Sequence, residues 1–200
     1  MSKTILVSGF QPFGGERVNA SLEAVRRLPD EIGGARLVKT ELPVVFGKAA
    51  ELLLEQIRAI GPDAALAVGQ AGGRKSITPE LIAVNVQNGR IPDNEGNQPD
   101  WTPILAGGPA GLFSRLPVHE MVRAMEAAGT RAELSLSAGA FVCNELMYRV
   151  LAATADSALP FGFLHVPCLP EQAADKPGVP FMPLEEIVRA LEICIRTLQL

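Results

Sequence analysis

Short apolar runs alternate with longer stretches of helical periodicity along the whole chain. Thr4–Ser8 is a β-branched run closed by Gly9, the pattern of a strand buried on both faces. Asn19 is placed to cap a helix over Ala20–Leu28, which Pro29 ends. Arg36–Glu41 reads as a second strand. Phe46–Ile60 is strongly helical: Ala49, Leu52, Leu53 and Ile57 share one face, and Gly61-Pro62 stops it. Ala64–Val68 is another buried strand, and Leu81–Gln87 continues the strand-like signal. Further on, the pattern predicts a helix over Val118–Ala128 stopped by Gly129, a strand over Ala132–Leu136 and a helix over Ala140–Ala153. A strand over Phe161–Val166, a loop over Pro167–Pro183 and an amphipathic helix over Leu184–Leu198 complete the chain.

Alternation of this kind predicts one α/β domain over residues 1–200, with a mixed, mainly parallel sheet and helices on both faces. Functional sites in such sheets collect at the carboxyl ends of the strands. The segment Gly89–Pro117 breaks the rhythm. It is rich in Gly, Pro, Asn and Asp and holds the single tryptophan, Trp101. A long irregular segment inside a compact domain is more often functional than decorative.

Composition removes several classes. The chain is 48% hydrophobic and 20% charged, the balance of a soluble globular protein. Its net charge is −4 and no Lys/Arg stripe interrupts it, which disfavours nucleic-acid binding. No apolar run approaches the roughly 18 residues of a membrane span. Met1-Ser-Lys-Thr-Ile-Leu-Val-Ser8 lacks the layout of a signal peptide and reads as a strand, so the cytoplasm is the expected address. Three cysteines without CxxC spacing and two histidines argue against a disulfide framework or a zinc site.

Three residues carry candidate chemistry. Cys143 stands near a predicted helix start, after the turn-forming Ser137-Ala-Gly-Ala140. A helix N-terminus or a neighbouring imidazolium lowers a thiol pKa, and first-turn amides can hold an oxyanion. The plainer alternative is a core cysteine stacked over Met147 and Val150. His165 ends an apolar strand before Pro167, where a general base would sit, although a core histidine bonded to a carbonyl fits the same pattern. Glu80 follows a glycine-rich turn, where its carboxylate would be able to accept the second N–H of His165; a solvated strand-end glutamate is the alternative. His119, beside Glu120, reads as a helix-surface residue. Neither Gly69–Lys75 nor Gly9–Gly15 has the spacing of a nucleotide-binding loop.

Taken together, four segments resemble the pyroglutamyl peptidase I family of cysteine peptidases over nearly the full length. They are Leu6-Val-Ser-Gly-Phe-Gln-Pro-Phe-Gly-Gly15 with Asn19, the stretch Gly69–Asn85, the stretch Ser135–Tyr148, and Gly162-Phe-Leu-His-Val-Pro-Cys-Leu-Pro-Glu-Gln172. The resemblance implies a three-layer α/β/α domain, often a homotetramer, that needs no metal or organic cofactor. Its substrates would be peptides with an N-terminal pyroglutamate. Cys143 would be the nucleophile, His165 the acid/base and Glu80 the orienting carboxylate. Phe10, Phe13 and Phe141 would sandwich the lactam ring, with Gln70, Arg90 and Val142 also at the substrate. This chain departs from the family at Leu81, in place of a basic residue, at Cys168, in place of an aromatic one, and at Leu112, in place of a tyrosine. None of these touches the three chemical residues. Two other readings fit the same residues: a Cys-His-Glu amidase with another acyl group, and a non-catalytic small-molecule-binding domain.

Overall fold

The computed structural model describes residues 3–157 and 159–198, so Met1 and Ser2 of the N-terminal strand reading lie outside the described residues. The elements in chain order are β1 (Lys3–Phe10), α1 (Ala20–Arg27), β2 (Glu31–Ile32), β3 (Ala35–Leu42), α2 (Lys48–Ile60), β4 (Ala64–Gln70) and β5 (Thr78–Pro79). Then follow β6 (Ile82–Val84), β7 (Gly111–Phe113), α3 (Val118–Ala127), α4 (Val142–Ala153), β8 (Phe161–Val166), α5 (Pro170–Ala173) and α6 (Leu184–Arg196). A six-stranded sheet runs β2-β3-β1-β4-β8-β5, parallel from β3 through β8 and antiparallel at both edges. Strands β6 and β7 form a separate antiparallel pair.

Strand periodicity sorts the core into two layers. Ile5 and Val7 of β1, Leu66 and Val68 of β4, and Leu164 and Val166 of β8 face α1, α3 and α6. The alternate positions, Leu6 and Phe10, Ala65 and Ala67, and Phe161 and Phe163, face α2 and α4. The three-layer α/β/α arrangement follows from this division, because each central strand is apolar on both sides and needs a helix layer against each. His165 shares the parity of Phe161 and Phe163, and Gly69 that of Ala65 and Ala67. Both therefore point toward the α4 layer.

Local signals act as read at several ends. Asn19 caps α1, its side-chain oxygen accepting from the Ser21 N–H. Gly61 closes α2 in the left-handed conformation (φ 60°), its N–H donating to the Ile57 carbonyl.

Elsewhere the structure corrects the sequence reading. The strand expected over Ala132–Leu136 is reduced to two single-residue bridges, Ile77 to Ala132 and Glu80 to Ser135: backbone hydrogen bonds tie Arg131, Glu133 and Ser135 to Ile77, Pro79 and Leu81, but they do not add up to a continuous ladder. Of Leu81–Gln87 only Ile82–Val84 is strand. Helix α4 begins at Val142 rather than Ala140, because Gly139 turns the chain at φ 81° just before it. Inside the segment read as irregular, Gly111–Phe113 pairs with β6.

Candidate active site

The chemistry-bearing residues meet at the carboxyl ends of β4 and β8. His165, one residue from the end of β8, is only 4% exposed, and its Nδ1 lies 2.7 Å from Oε1 of the fully buried Glu80. Glu80 follows β5, the antiparallel neighbour of β8; its own N–H donates to the Phe163 carbonyl, which fixes the backbone beside His165. Nη1 of Arg74 lies 2.8 Å from the same carboxylate oxygen. Oε2 has no partner at hydrogen-bond geometry among the described residues, although Ser135 stands close enough to favour the ionised carboxylate.

Cys143 is the second residue of α4. First-turn N–H groups of a helix have no partner within it, so the thiol stands beside donors suited to a developing oxyanion. The side chain lies over the sheet: its Sγ is 3.1 Å from the place where a β-carbon on Gly69 would stand. Gly69 is paired with His165 across the β4–β8 ladder. The start of α4 is anchored by Asn144, fully buried, whose amide bonds both the N–H and the carbonyl of Val84 at 2.9 Å and the carbonyl of Val86.

A cavity of about 110 Å³ opens at this point, lined by Phe10, Phe13, Asn19, Val44, Gln70, Ala138, Phe141, Cys143 and His165. It is of the order of the ~150 Å³ apolar cavities that take up a benzene ring. Phe13 and Phe141 face one another with ring centres 6.3 Å apart, and Phe46 packs edge-on against Phe141 at 5.1 Å. The Gln70 amide is oriented by its own bonds: Oε1 accepts from the Ala20 N–H at 2.7 Å and Nε2 donates to Cys168 Sγ at 3.5 Å.

Electrostatics set the resting state. Burial pushes the Cys143 thiol up to about 12, with the Glu80 charge adding to the rise, while Arg74 and the residue's own N–H work against it. Burial likewise holds the His165 imidazole below its ordinary value; Glu80 opposes this and Arg74 reinforces it. For Glu80, burial works to raise the pKa, but His165, Ser135 and Arg74 together hold it below the usual carboxylate value. The resting site is thus a neutral thiol, a neutral imidazole and a carboxylate. A thiol lowered by a helix start or a neighbouring imidazolium, the expectation from sequence, is not what this geometry gives, because burial is the largest influence on Cys143 and raises its pKa.

The structure brings Glu80, Cys143 and His165 into one place, with Phe10, Phe13, Gln70 and Phe141 around the cavity. Val142 heads α4 with its side chain fully buried in the core. Arg90 is exposed and does not line the cavity. His119 is exposed on α3. Sequence reasoning gave no role to Arg74, Asn144, Val44 and Ala138. Arg74 and Asn144 sit inside segments already singled out, but Ser137, which Arg74 reaches, and Val84 and Val86, which Asn144 holds, lie far along the chain. Of the departures from the family pattern, Leu81 packs against the core, Cys168 is buried beside Gln70, and Leu112 is paired in β7. Among the described residues no cluster of His, Cys, Asp and Glu has the makings of a metal site, and no helix is long and apolar enough to cross a membrane.

Known proteins share this arrangement from end to end. The chain is 48% identical over 196 residues to a pyrrolidone-carboxylate peptidase of Levilactobacillus brevis, covering 97% of this chain and 96% of that protein. A pyrrolidone-carboxylate peptidase of Streptococcus pyogenes is 50% identical over 194 residues, 96% of this chain and 90% of its own length. The crystal structure of pyroglutamyl peptidase I from Bacillus amyloliquefaciens superposes with a TM-score of 0.95 at 43% identity, over 99% of this chain and 95% of that one. A mutant pyrrolidone carboxyl peptidase from Pyrococcus furiosus gives 0.92 at 41% identity, over 96% of both chains. The family model described as pyroglutamyl peptidase matches residues 3–199. Agreement this complete, in sequence and in fold alike, admits one conclusion: the chain belongs to the pyroglutamyl peptidase family of cysteine peptidases.

Proposed function

We propose that this protein removes N-terminal pyroglutamate from peptides, with Cys143 as nucleophile, His165 as acid/base and Glu80 as the orienting carboxylate. The observation that carries the assignment is the 2.7 Å contact of His165 Nδ1 with buried Glu80, in a cavity that also holds Cys143. With Nδ1 engaged by the carboxylate, the other ring nitrogen is the one available for the thiol proton. As Sγ attacks the pyroglutamyl carbonyl, its proton passes to the imidazole and Glu80 stabilises the imidazolium. The tetrahedral oxyanion forms beside the first-turn amides of α4. Collapse breaks the C–N bond, and the imidazolium gives its proton to the departing amine. Water, deprotonated by the same imidazole, then hydrolyses the thioester and restores the thiol.

The cavity chemistry supports a small neutral ring. Phe10, Phe13 and Phe141 supply apolar walls, and Gln70 supplies an oriented amide for a lactam that has no ammonium to pair. Val142 would take part through its backbone at the helix start. Arg90, exposed on a loop whose Asn94 amide donates to the Pro12 carbonyl, is suited to the peptide beyond the ring rather than to the ring itself. Assembly into a homotetramer and action in the cytoplasm belong to the same reading. The exposed Trp101, Phe113 and Leu136 support the first, and the free thiols of Cys143, Cys168 and Cys194 suit a reducing compartment.

The test compares hydrolysis of pyroglutamyl and prolyl amides of one fluorophore under reducing conditions. Turnover of the pyroglutamyl amide alone is expected. Equal turnover of both, or of neither, would overturn the reading.

A further inference from the structure

Arg74 is neither nucleophile nor base, yet it touches both halves of the site. Its Nη1 lies 2.8 Å from Glu80 Oε1, the oxygen that also meets His165 Nδ1, and donates to the Thr78 hydroxyl. Its Nη2 donates to the Ser137 carbonyl at 3.1 Å. Ser137 begins the turn that leads into α4: its hydroxyl accepts from the Gly139 N–H, and the next residue, Ala138, lines the cavity. The side chain is about three-quarters buried (23% exposed) against a fully buried carboxylate.

We propose that Arg74 is a positioning residue of this site, one arm of its guanidinium fixing Glu80 against His165 and the other fixing the Ser137–Gly139 wall of the cavity. The inference rests on the reading of Cys143, His165 and Glu80 as a working unit. A planar guanidinium serves two acceptors at fixed spacing, which an ammonium does not. The two segments it joins, the turn before β5 and the approach to α4, are separated by 63 residues of sequence. Backbone hydrogen bonds join Ile77, Pro79 and Leu81 to Arg131, Glu133 and Ser135, and Asn88 to Ala140, but at Ser137 itself it is the Arg74 guanidinium that reaches across.

The guanidinium also acts through its charge. The charged groups that bear on His165 are Glu80 and Arg74, and the same two bear on Cys143, the titratable neighbour across the cavity. A positive charge here favours the carboxylate and the thiolate and disfavours the imidazolium. Arg74 therefore keeps His165 neutral and ready to accept the thiol proton, while Glu80 stays ionised to receive the imidazolium once it forms.

The test uses Arg74→Met and Arg74→Lys and reads the dyad without substrate. The His165 ring-proton titration is followed by NMR, and iodoacetamide modification of Cys143 is followed against pH by peptide mass. In Arg74→Met, His165 should titrate at higher pH than in the parent protein, and Cys143 should be alkylated more slowly at any given pH. In Arg74→Lys the titration should stay near that of the parent, while KM for the pyroglutamyl amide rises roughly tenfold or more, the scale of losing a hydrogen bond from a charged group. Unshifted titration and alkylation in Arg74→Met would overturn the charge role whatever happens to Tm, and an unchanged KM in Arg74→Lys would overturn the wall contact. Should Arg74→Met not fold, Arg74→Gln removes the same charge while keeping an amide donor. Because titration and alkylation need no turnover, a wild-type protein inactive on pyroglutamyl amides would count against the proposed function and leave this result readable.

Discussion

Gly69 lies across the β4–β8 ladder from His165, and the space its missing side chain leaves is where the Cys143 sulfur sits. A β-carbon there would stand 3.1 Å from Sγ and 2.7 Å and 2.9 Å from two carbons of the Phe163 ring. The bare backbone of β4 is thus the floor on which thiol and imidazole are brought together. Phe163 is fully buried in the core and has little room to yield, so the added methyl of Gly69→Ala should displace the thiol. We expect kcat/KM to fall by about 100-fold, the effect of moving a reacting atom by roughly 1 Å. Overpacking should lower stability by about 1–3 kcal/mol. Kinetics and Tm measured on one preparation separate the two effects, and a lowered Tm with intact kcat/KM would mean that Gly69 does not set the thiol position.

Glu80 and His165 should fail together. His165→Ala is expected to be nearly inactive and Cys143→Ser to lose measurable hydrolysis. Glu80→Gln should fold yet lose on the order of 10⁴ in kcat, as in triads whose orienting carboxylate becomes an amide, because an amide does not stabilise the imidazolium. The double variant Glu80→Gln/His165→Ala should be no worse than His165→Ala, since members of such a unit are far from additive. His119→Ala, Cys168→Ser and Cys194→Ser should keep most activity. Full activity in Glu80→Gln, or a defect in His119→Ala as deep as in His165→Ala, would require the unit to be redrawn.

The aromatic wall divides by burial. Phe10 is 2% exposed and packs on Phe163 as well as lining the cavity, whereas Phe13 and Phe141 are half-buried. Phe10→Ala should therefore cost roughly 3–5 kcal/mol of stability, the range for removing a core phenylalanine. Phe13→Ala should raise KM by the equivalent of about 1–3 kcal/mol with a smaller change in Tm. Denaturant unfolding and steady-state kinetics on both variants test the division. Equal losses of stability with unchanged kinetics would make both residues core alone.

Much of this site is legible in the sequence because its chemistry sits beside strong local signals. Cys143 follows a glycine turn at a helix start, His165 ends an unbroken apolar strand, and strand–helix alternation gives the layer order. What escapes is set by partners distant in sequence. Arg74 looks like an ordinary turn residue until Glu80 and Ser137 converge on it. Ala132–Leu136 has strand composition but pairs only at single residues, so composition overstates it. Gly111–Phe113 looks irregular because its three residues become strand only where β6 lies beside them. The thiol pKa is the clearest case: helix position argues for lowering it, and only the packing shows that burial dominates.

That balance fixes the pH behaviour. Burial holds His165 below the ordinary imidazole value of 6.5, so the neutral base that accepts the thiol proton persists as pH falls through 6.5. The acid limb of kcat/KM should therefore lie below pH 6.5. With the thiol pushed up to about 12, no separate thiol ionisation should appear between roughly pH 7 and 9. Stability follows the same groups. A buried base with a depressed pKa binds fewer protons folded than unfolded, so His165 contributes stability above 6.5 that is lost as pH falls below it. Glu80, also lowered, contributes stability above its ordinary 4.5 that is lost as pH drops through its folded value. Both terms weaken the fold in acid. Tm measured from pH 7.5 to 5 should decline, and less steeply in His165→Gln, which has no imidazole to protonate. A kcat/KM limb centred above pH 6.5, or an unchanged Tm slope in His165→Gln, would place the controlling proton on another group.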